Sequence, residues 1–340
     1  MSQSEHIKDL VRYGLEKDVD KFKEALNELI EHAKKTKRIN YALQLQSLLR
    51  DTMRNEQNKT PKLVGSKSYF AGIENRELND FILEKITSEY SFQNIVINDK
   101  TKNQLEFLVK EHTARKILEK YQLPISNKIL FYGPSGCGKT LASYVLAGEL
   151  KKLMFVINLG AIVSSKLGET SKNLAKIFRQ ASVEDSIIFI DEFDSLGKIR
   201  NYDQDHGEMK RIVNTILQLF DYLPQSSIVI AATNQIDMID DALLRRFDLK
   251  VKLDLPNKKQ IKALIELVLK NGNFEFDKKT LTSIIKNADG LSYYSIQKSL
   301  ITTIKKTILE NNIINPDRIV ISSAIFNSLL LEEKKQIENN

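Results

Sequence analysis

The stretch "KILFYGPSGCGKTLASYVLAGEL", Lys128 to Leu150, decides how the rest of the chain is read. Its first five residues form a short apolar run of the kind a buried strand carries. Its last ten, "LASYVLAGEL", read as a helix. Between them "GPSGCGKT", Gly133 to Thr140, matches G-x-x-x-x-G-K-[ST] in the strand-then-helix setting the pattern requires. Gly133, Gly136 and Gly138 let the backbone curl until its N–H groups converge on phosphate oxygens. The helix then begins with its positive end toward the anion. Lys139 has the reach for β- and γ-phosphates, and Thr140 offers a hydroxyl to Mg2+. The candidate phosphate-binding residues are Gly133, Pro134, Ser135, Gly136, Cys137, Gly138, Lys139, Thr140 and Leu141. A thiol at a helix N-terminus can be reactive, but this loop needs only the backbone of Cys137.

Outward from this stretch, short apolar runs alternate with amphipathic ones. The runs are "KILFY", "KLMFVINL", "SIIFID", "SIVIAATN" and "LKVKLDL". Such alternation predicts an α/β fold, a parallel five-stranded sheet with helices on its faces. Ile187 to Ile190 form a buried strand followed by Asp191 and Glu192, at the strand end where open α/β sheets place ligands. Asp191 suits Mg2+, directly or through water, and Glu192 suits polarising the water that attacks a γ-phosphate. A further buried strand ends in Thr233 and Asn234, where Asn234 is placed to hold that water or sense the phosphate. In "DDALLRRFD", Arg245 and Arg246 carry fixed charge in a rigid fork suited to phosphate. Spacing alone leaves them either as surface charges or as groups reaching a neighbouring subunit's nucleotide.

The chain of 340 residues is long enough for two or three domains, and 42% hydrophobic with 28% charged residues is ordinary for a globular protein. The expected organisation is 1–58, a helical N-terminal docking module; 59–90, a linker; 91–256, an α/β core; and 257–340, all-helical. In the first segment Val19, Phe22, Leu26, Leu29, Ile30 and Ala33 share a helix face. A bundle of that size buries little core alone, which points to docking on something else. One cysteine excludes an intrachain disulfide and fits a reducing cytoplasm. No run of 18 apolar residues exists and the start lacks an apolar leader, so a cytoplasmic protein without a membrane span is expected. The net charge of +7 comes from lysines interspersed with acids, which favours a solvated surface over a nucleic-acid patch.

The set of motifs, in order and spacing, resembles the classical branch of the AAA (AAA+) ATPases from about Phe92 to about Asn311. "GPSGCGKT" is similar to its Walker A segment, "IIFIDEFDSL" to Walker B, "ATN" to sensor 1, and "DDALLRRFD" to the arginine-finger segment. The resemblance implies ATP and Mg2+ as cofactors and ATP hydrolysis as the reaction. Lys139 and Thr140 would hold nucleotide and metal, Asp191 metal, Glu192 hydrolysis, and Asn234 the sensor role. Arg245 and Arg246 would act on the next subunit of a homo-oligomeric, hexameric ring. The region after Pro256 resembles the family's lid, but "GLSYYSIQ", Gly290 to Gln297, departs from the usual Gly-x-Ser-Gly-Ala-Asp. Ile95 and Val96 match the segment that packs near the base. "SSKLGET", Ser164 to Thr170, resembles the pore loop that pulls polypeptide, with Leu167 in the aliphatic place and Lys166 where an aromatic ring is usual.

A narrower resemblance is to stand-alone bacterial AAA proteins, some encoded beside a subtilisin-like serine protease and implicated in phage defence. The function so implied is remodelling or unfolding of protein partners, with a client or a partner protease docking through the N-terminal helices. The alternatives are a nucleic-acid-associated loader and a nucleotide-gated assembly switch.

Overall fold

The computed structural model describes residues 82–157, 159, 169–198, 206–271, 274–277, 281–310 and 319–338, with residues 13, 25, 28–30, 32 and 33 of the N-terminal segment. The chain divides into two units, Met1–Thr60 and Pro61–Asn340. In the first, the described residues are helical; Leu29, Ile30 and Ala33 of the predicted face are buried, and so is Ala25, which that face did not include. Val19, Phe22 and Leu26 lie outside the described residues.

The second unit is organised by a six-stranded sheet. Its strands are β1 (Ile82–Thr87), β2 (Lys128–Tyr132), β3 (Leu153–Ile157), β4 (Ile187–Ile190), β5 (Ile228–Thr233) and β6 (Leu249–Lys252), in the order β1-β3-β4-β5-β2-β6. β2 to β6 pair in parallel, as expected for the five apolar runs. β3, β4 and β5 are buried along their whole length because both faces are covered, whereas β6, at the edge, alternates apolar residues with the exposed Lys250 and Lys252. Alternate residues face opposite sides: Leu130, Ile188, Ile190, Val229 and Ala231 join one core. Ile129, Phe131, Ile187, Phe189, Ile228 and Ile230 join the other.

The sixth strand lies inside the 59–90 interval that sequence patterning assigned to a linker. β1 runs antiparallel to β3, with Ile86 opposite Met154. Its sequence, "ILEKIT", carries charges at Glu84 and Lys85, as edge strands often do, which hid it from an apolar-run reading. Lys85 ion-pairs with Glu184 at 2.8 Å, and Glu84 accepts a hydrogen bond from the Tyr144 hydroxyl, so the charges are spent anchoring the edge.

The flanking helices of the described core are α1 (Asp99–Thr113), α2 (Arg115–Lys120), α3 (Lys139–Glu149), α4 (Glu169–Val183), α5 (Ser195–Lys198), α6 (His206–Asp221) and α7 (Asp241–Leu244). After Pro256 come α8 (Lys258–Asn271), α9 (Leu281–Ala288), α10 (Tyr293–Glu310) and α11 (Ser323–Glu338). Ile261, Ile265, Ile284, Ile296, Leu300, Phe326 and Leu330 form a third core there. This region departs from all-helical in one respect: β7 (Phe274–Phe276) and β8 (Ile319–Ile321) pair in parallel. Three residues each are too few to register as a sequence pattern. Among the described residues no helix is long and apolar enough to cross a membrane.

Candidate functional site

Because β2, β4 and β5 are parallel neighbours, their C-terminal ends share one edge of the sheet. β5 lies between the other two, so the loop after β2 must span about 10 Å to meet the residues after β4. It does so at Thr140, whose hydroxyl donates to Asp191 Oδ2 at 2.9 Å. The other carboxylate oxygen of Asp191 accepts from Glu192 N at 2.9 Å. Thr140 sits in the first turn of α3, so a helix N-terminus and a carboxylate converge on one spot.

Two glycines of the loop are sterically required. Gly133 has φ +139°, and a Cβ there would lie 2.1 Å from the Leu253 carbonyl oxygen. Gly136 has φ +73°, and its Cβ would meet Ser292 Oγ at 2.6 Å. The ammonium of Lys139 donates to the carbonyls of Gly133 and Pro134, both at 2.8 Å. Burial lowers the pKa of this lysine, with Cys137 and then Asp191 opposing the shift. Cys137 is buried and its thiol is pushed up by the same desolvation.

Glu192 is exposed and holds a left-handed backbone, φ 49°, a strain of about 1–3 kcal/mol for a residue with a side chain. Phe193 follows it, wholly buried, and packs edge-on against Phe247 at 5.8 Å between centroids. Phe247 in turn meets Phe220 at 5.4 Å. Asn234 is exposed immediately after β5, between the ends of β4 and β2.

The two arginines are placed differently. Arg246 bonds Asp221 at the end of α6, Nε to Oδ1 at 3.2 Å and Nη2 to Oδ2 at 3.3 Å, and also reaches the Ala242 carbonyl. Arg245 is exposed. Lys166 and Leu167 lie outside the described residues.

Beside the phosphate loop is a cavity of about 190 Å3 lined by Ile97, Asn98, Cys137, Leu253, Asp254, Leu255, Asn257, Gln260 and Tyr293. Sequence reading had placed Ile95 and Val96 near the base. Here Ile95 packs on the sheet core and Val96 on the C-terminal core, while Ile97 and Asn98 line the cavity. The departing segment "GLSYYSIQ" supplies Tyr293, whose hydroxyl pKa is raised by burial and then by Cys137. Its neighbour Tyr294 donates its backbone N–H to the Gly136 carbonyl at 3.1 Å, tying α10 to the phosphate loop. No short motif could have marked these residues, since the cavity draws on four separate parts of the chain.

A sheet edge with a glycine loop, a helix N-terminus, a hydroxyl–carboxylate pair and an adjacent cavity defines a P-loop nucleotide-binding protein. The family model described as ATPase family associated with various cellular activities (AAA) matches residues 129–255. The chain is 33% identical over 257 residues to an uncharacterized AAA family ATPase of Sinorhizobium fredii, spanning 76% of this chain and 75% of that protein. It is 28% identical over 224 residues to a putative 26S proteasome regulatory subunit homolog of Methanocaldococcus jannaschii, spanning 65% of this chain and 59% of that one. It is also 37% identical over 148 residues to an ATP-dependent zinc metalloprotease of Sphaerobacter thermophilus, covering 42% of this chain and 23% of that one. The chain belongs to the AAA family and is an ATPase.

Proposed function

We infer that the chain binds ATP with Mg2+ along this edge and couples its hydrolysis to remodelling or unfolding of a protein partner. The observation that carries the reading is the 2.9 Å bond between Thr140 and Asp191, two hard oxygen donors of the kind Mg2+ takes alongside phosphate. Mg2+, when bound with nucleotide, neutralises charge on the β- and γ-phosphates. Backbone N–H groups of the loop from Ser135 to Leu141 cradle the phosphates, with Gly133 and Pro134 shaping its start, and Lys139 swings from its carbonyl partners to the γ-phosphate. Glu192 accepts a proton from the attacking water, and Asn234 holds that water in line. The cavity at Tyr293 takes the base.

Arg245 and Arg246 supply charge to a neighbouring subunit's γ-phosphate in a homo-oligomeric ring, hexameric as in the resemblance. Its exposure favours Arg245 as the arm that reaches across, with Arg246 steadied by Asp221. Lys166 and Leu167 act on the partner polypeptide, in the role the pore-loop resemblance implies. The 1–58 helices dock a client or a protease. Relatives named for a proteasome regulatory subunit and a metalloprotease support a proteolytic partnership.

The Glu192→Gln protein imaged with ATP tests this. A six-membered ring with polypeptide in its centre is expected. A ring that retains DNA and no polypeptide would replace remodelling with the loader reading, and its binding would weaken steeply with salt.

A further inference from the structure

Two buried polar groups beside the candidate site remain without a role. They are Asp194 and Thr233, 2% and 1% exposed. The Thr233 hydroxyl donates to Asp194 Oδ1 at 3.0 Å and accepts from Gln235 N at 3.0 Å. One oxygen thus bridges the backbone on both sides of Asn234. Its donated bond ends two residues beyond Glu192. The Phe193 N–H, donating to the Ala232 carbonyl at 2.9 Å, makes a second tie between the same two segments.

We propose that Asp194 and Thr233 are a positioning pair that holds Glu192 and Asn234 in fixed relation, a role that rests on the function assigned above to Glu192. Three observations converge. First, Glu192 keeps a left-handed backbone, which a residue with a side chain retains only where its surroundings over-determine it. The two ties supply that constraint from the residues just after it. Second, the carboxylate is buried, so its hydrogen bond is sheltered from water and its geometry is sharply defined. Third, the bond crosses between strand ends β4 and β5 beyond the last paired residues of the sheet, Ile190 and Ala231. Past the regular ladder one main-chain bond, Phe193 N–H to the Ala232 carbonyl, and the Thr233–Asp194 side-chain bond hold the two segments together. A water held by Asn234 and a base at Glu192 must meet within hydrogen-bond reach, and small misplacements cost rate steeply.

Asp194 also bears electrostatically on Lys139, so substitutions at Thr233 give the cleaner test. The measurement is Mg-ATP turnover and KM of the full chain, by phosphate release, with melting temperature as a check on folding. Thr233→Val removes the hydroxyl at nearly constant shape and is expected to lower kcat roughly 10- to 100-fold. Its KM for ATP should change by less than about three-fold, because the phosphate loop is untouched. Thr233→Ser, which keeps the hydroxyl, should recover most of the loss. In a Glu192→Gln background the same Thr233→Val change should add less than about two-fold, because the group being positioned is already gone. Should Thr233→Val fail to fold, Thr233→Ala carries the same expectations.

The proposal is overturned if Thr233→Val turns over within about two-fold of the unaltered protein, or if Thr233→Ser loses as much. A full additional loss in the Glu192→Gln background also overturns it. Loss of turnover in Glu192→Gln with none in Thr233→Val removes the pair and leaves the role of Glu192 standing. Undiminished turnover in Glu192→Gln removes both.

Discussion

The two ends of the nucleotide cleft are built by different means. At the phosphate end the work is done mostly by backbone, with glycines that admit a tight curl and a helix N-terminus, to which two side chains meeting at 2.9 Å are added. At the base end it is done by side chains gathered from Ile97, Cys137, the turn after β6, and α8 and α10. Backbone chemistry demands particular residue types at fixed spacing, so the first end is a motif. A cavity wall demands only shape and a few polar atoms, so the second is not. The point where the ends are joined is a backbone bond, Tyr294 N to Gly136 O. It is made by main-chain atoms and so does not draw on the Tyr294 side chain.

The comparison can be broken at the phosphate end first. Lys139→Ala should abolish measurable ATP binding and lower turnover at least about 100-fold, checked by calorimetry and phosphate release. Arg245→Ala should leave ATP affinity and melting temperature unchanged yet lower the turnover of the assembled protein about 10- to 100-fold, short of the largest finger effects. Arg246→Ala should instead show a lower melting temperature, because it frees Asp221. Gly133→Ala would force a Cβ to within 2.1 Å of a backbone oxygen. It should cost about 1–3 kcal/mol, seen as a melting temperature lower by several degrees.

The base end should give the smallest change. Tyr293→Ala is expected to raise KM for ATP about 5- to 20-fold with kcat nearly unchanged, near the lower end of aromatic–base stacking. Tyr293→Phe should stay within about two-fold, since the ring and not the hydroxyl forms the wall. A large kcat effect at Tyr293 would show that the lid segment acts on the phosphates as well, and the division between the ends would blur.

What could be read in advance follows the same division. The interior parallel strands announced themselves because both faces are buried and their apolar runs are nearly unbroken, and β6 did so through the alternation of Leu249, Val251 and Leu253 with polar residues. The phosphate residues were legible for the spacing reasons above. β1 was not, because its apolar run is broken by Glu84 and Lys85, which anchor the edge. The cavity residues were not, because folding alone brings Asn98, Gln260 and Tyr293 together. Asp194 and Thr233 were in plain sight within "DEFDSL" and "AATN", but nothing in a linear string reveals that they are buried against each other. The differing fates of Arg245 and Arg246 likewise needed the position of Asp221, 25 residues upstream of Arg246.

In the function proposed above, Glu192, presented in a strained turn after β4, drives ATP hydrolysis at an edge where Thr140 and Asp191 meet. The most direct test of this role compares ATP binding and phosphate release for the unaltered chain and for Glu192→Gln. Retained ATP affinity with phosphate release lowered at least about 100-fold is the predicted result. Undiminished release by Glu192→Gln would contradict it.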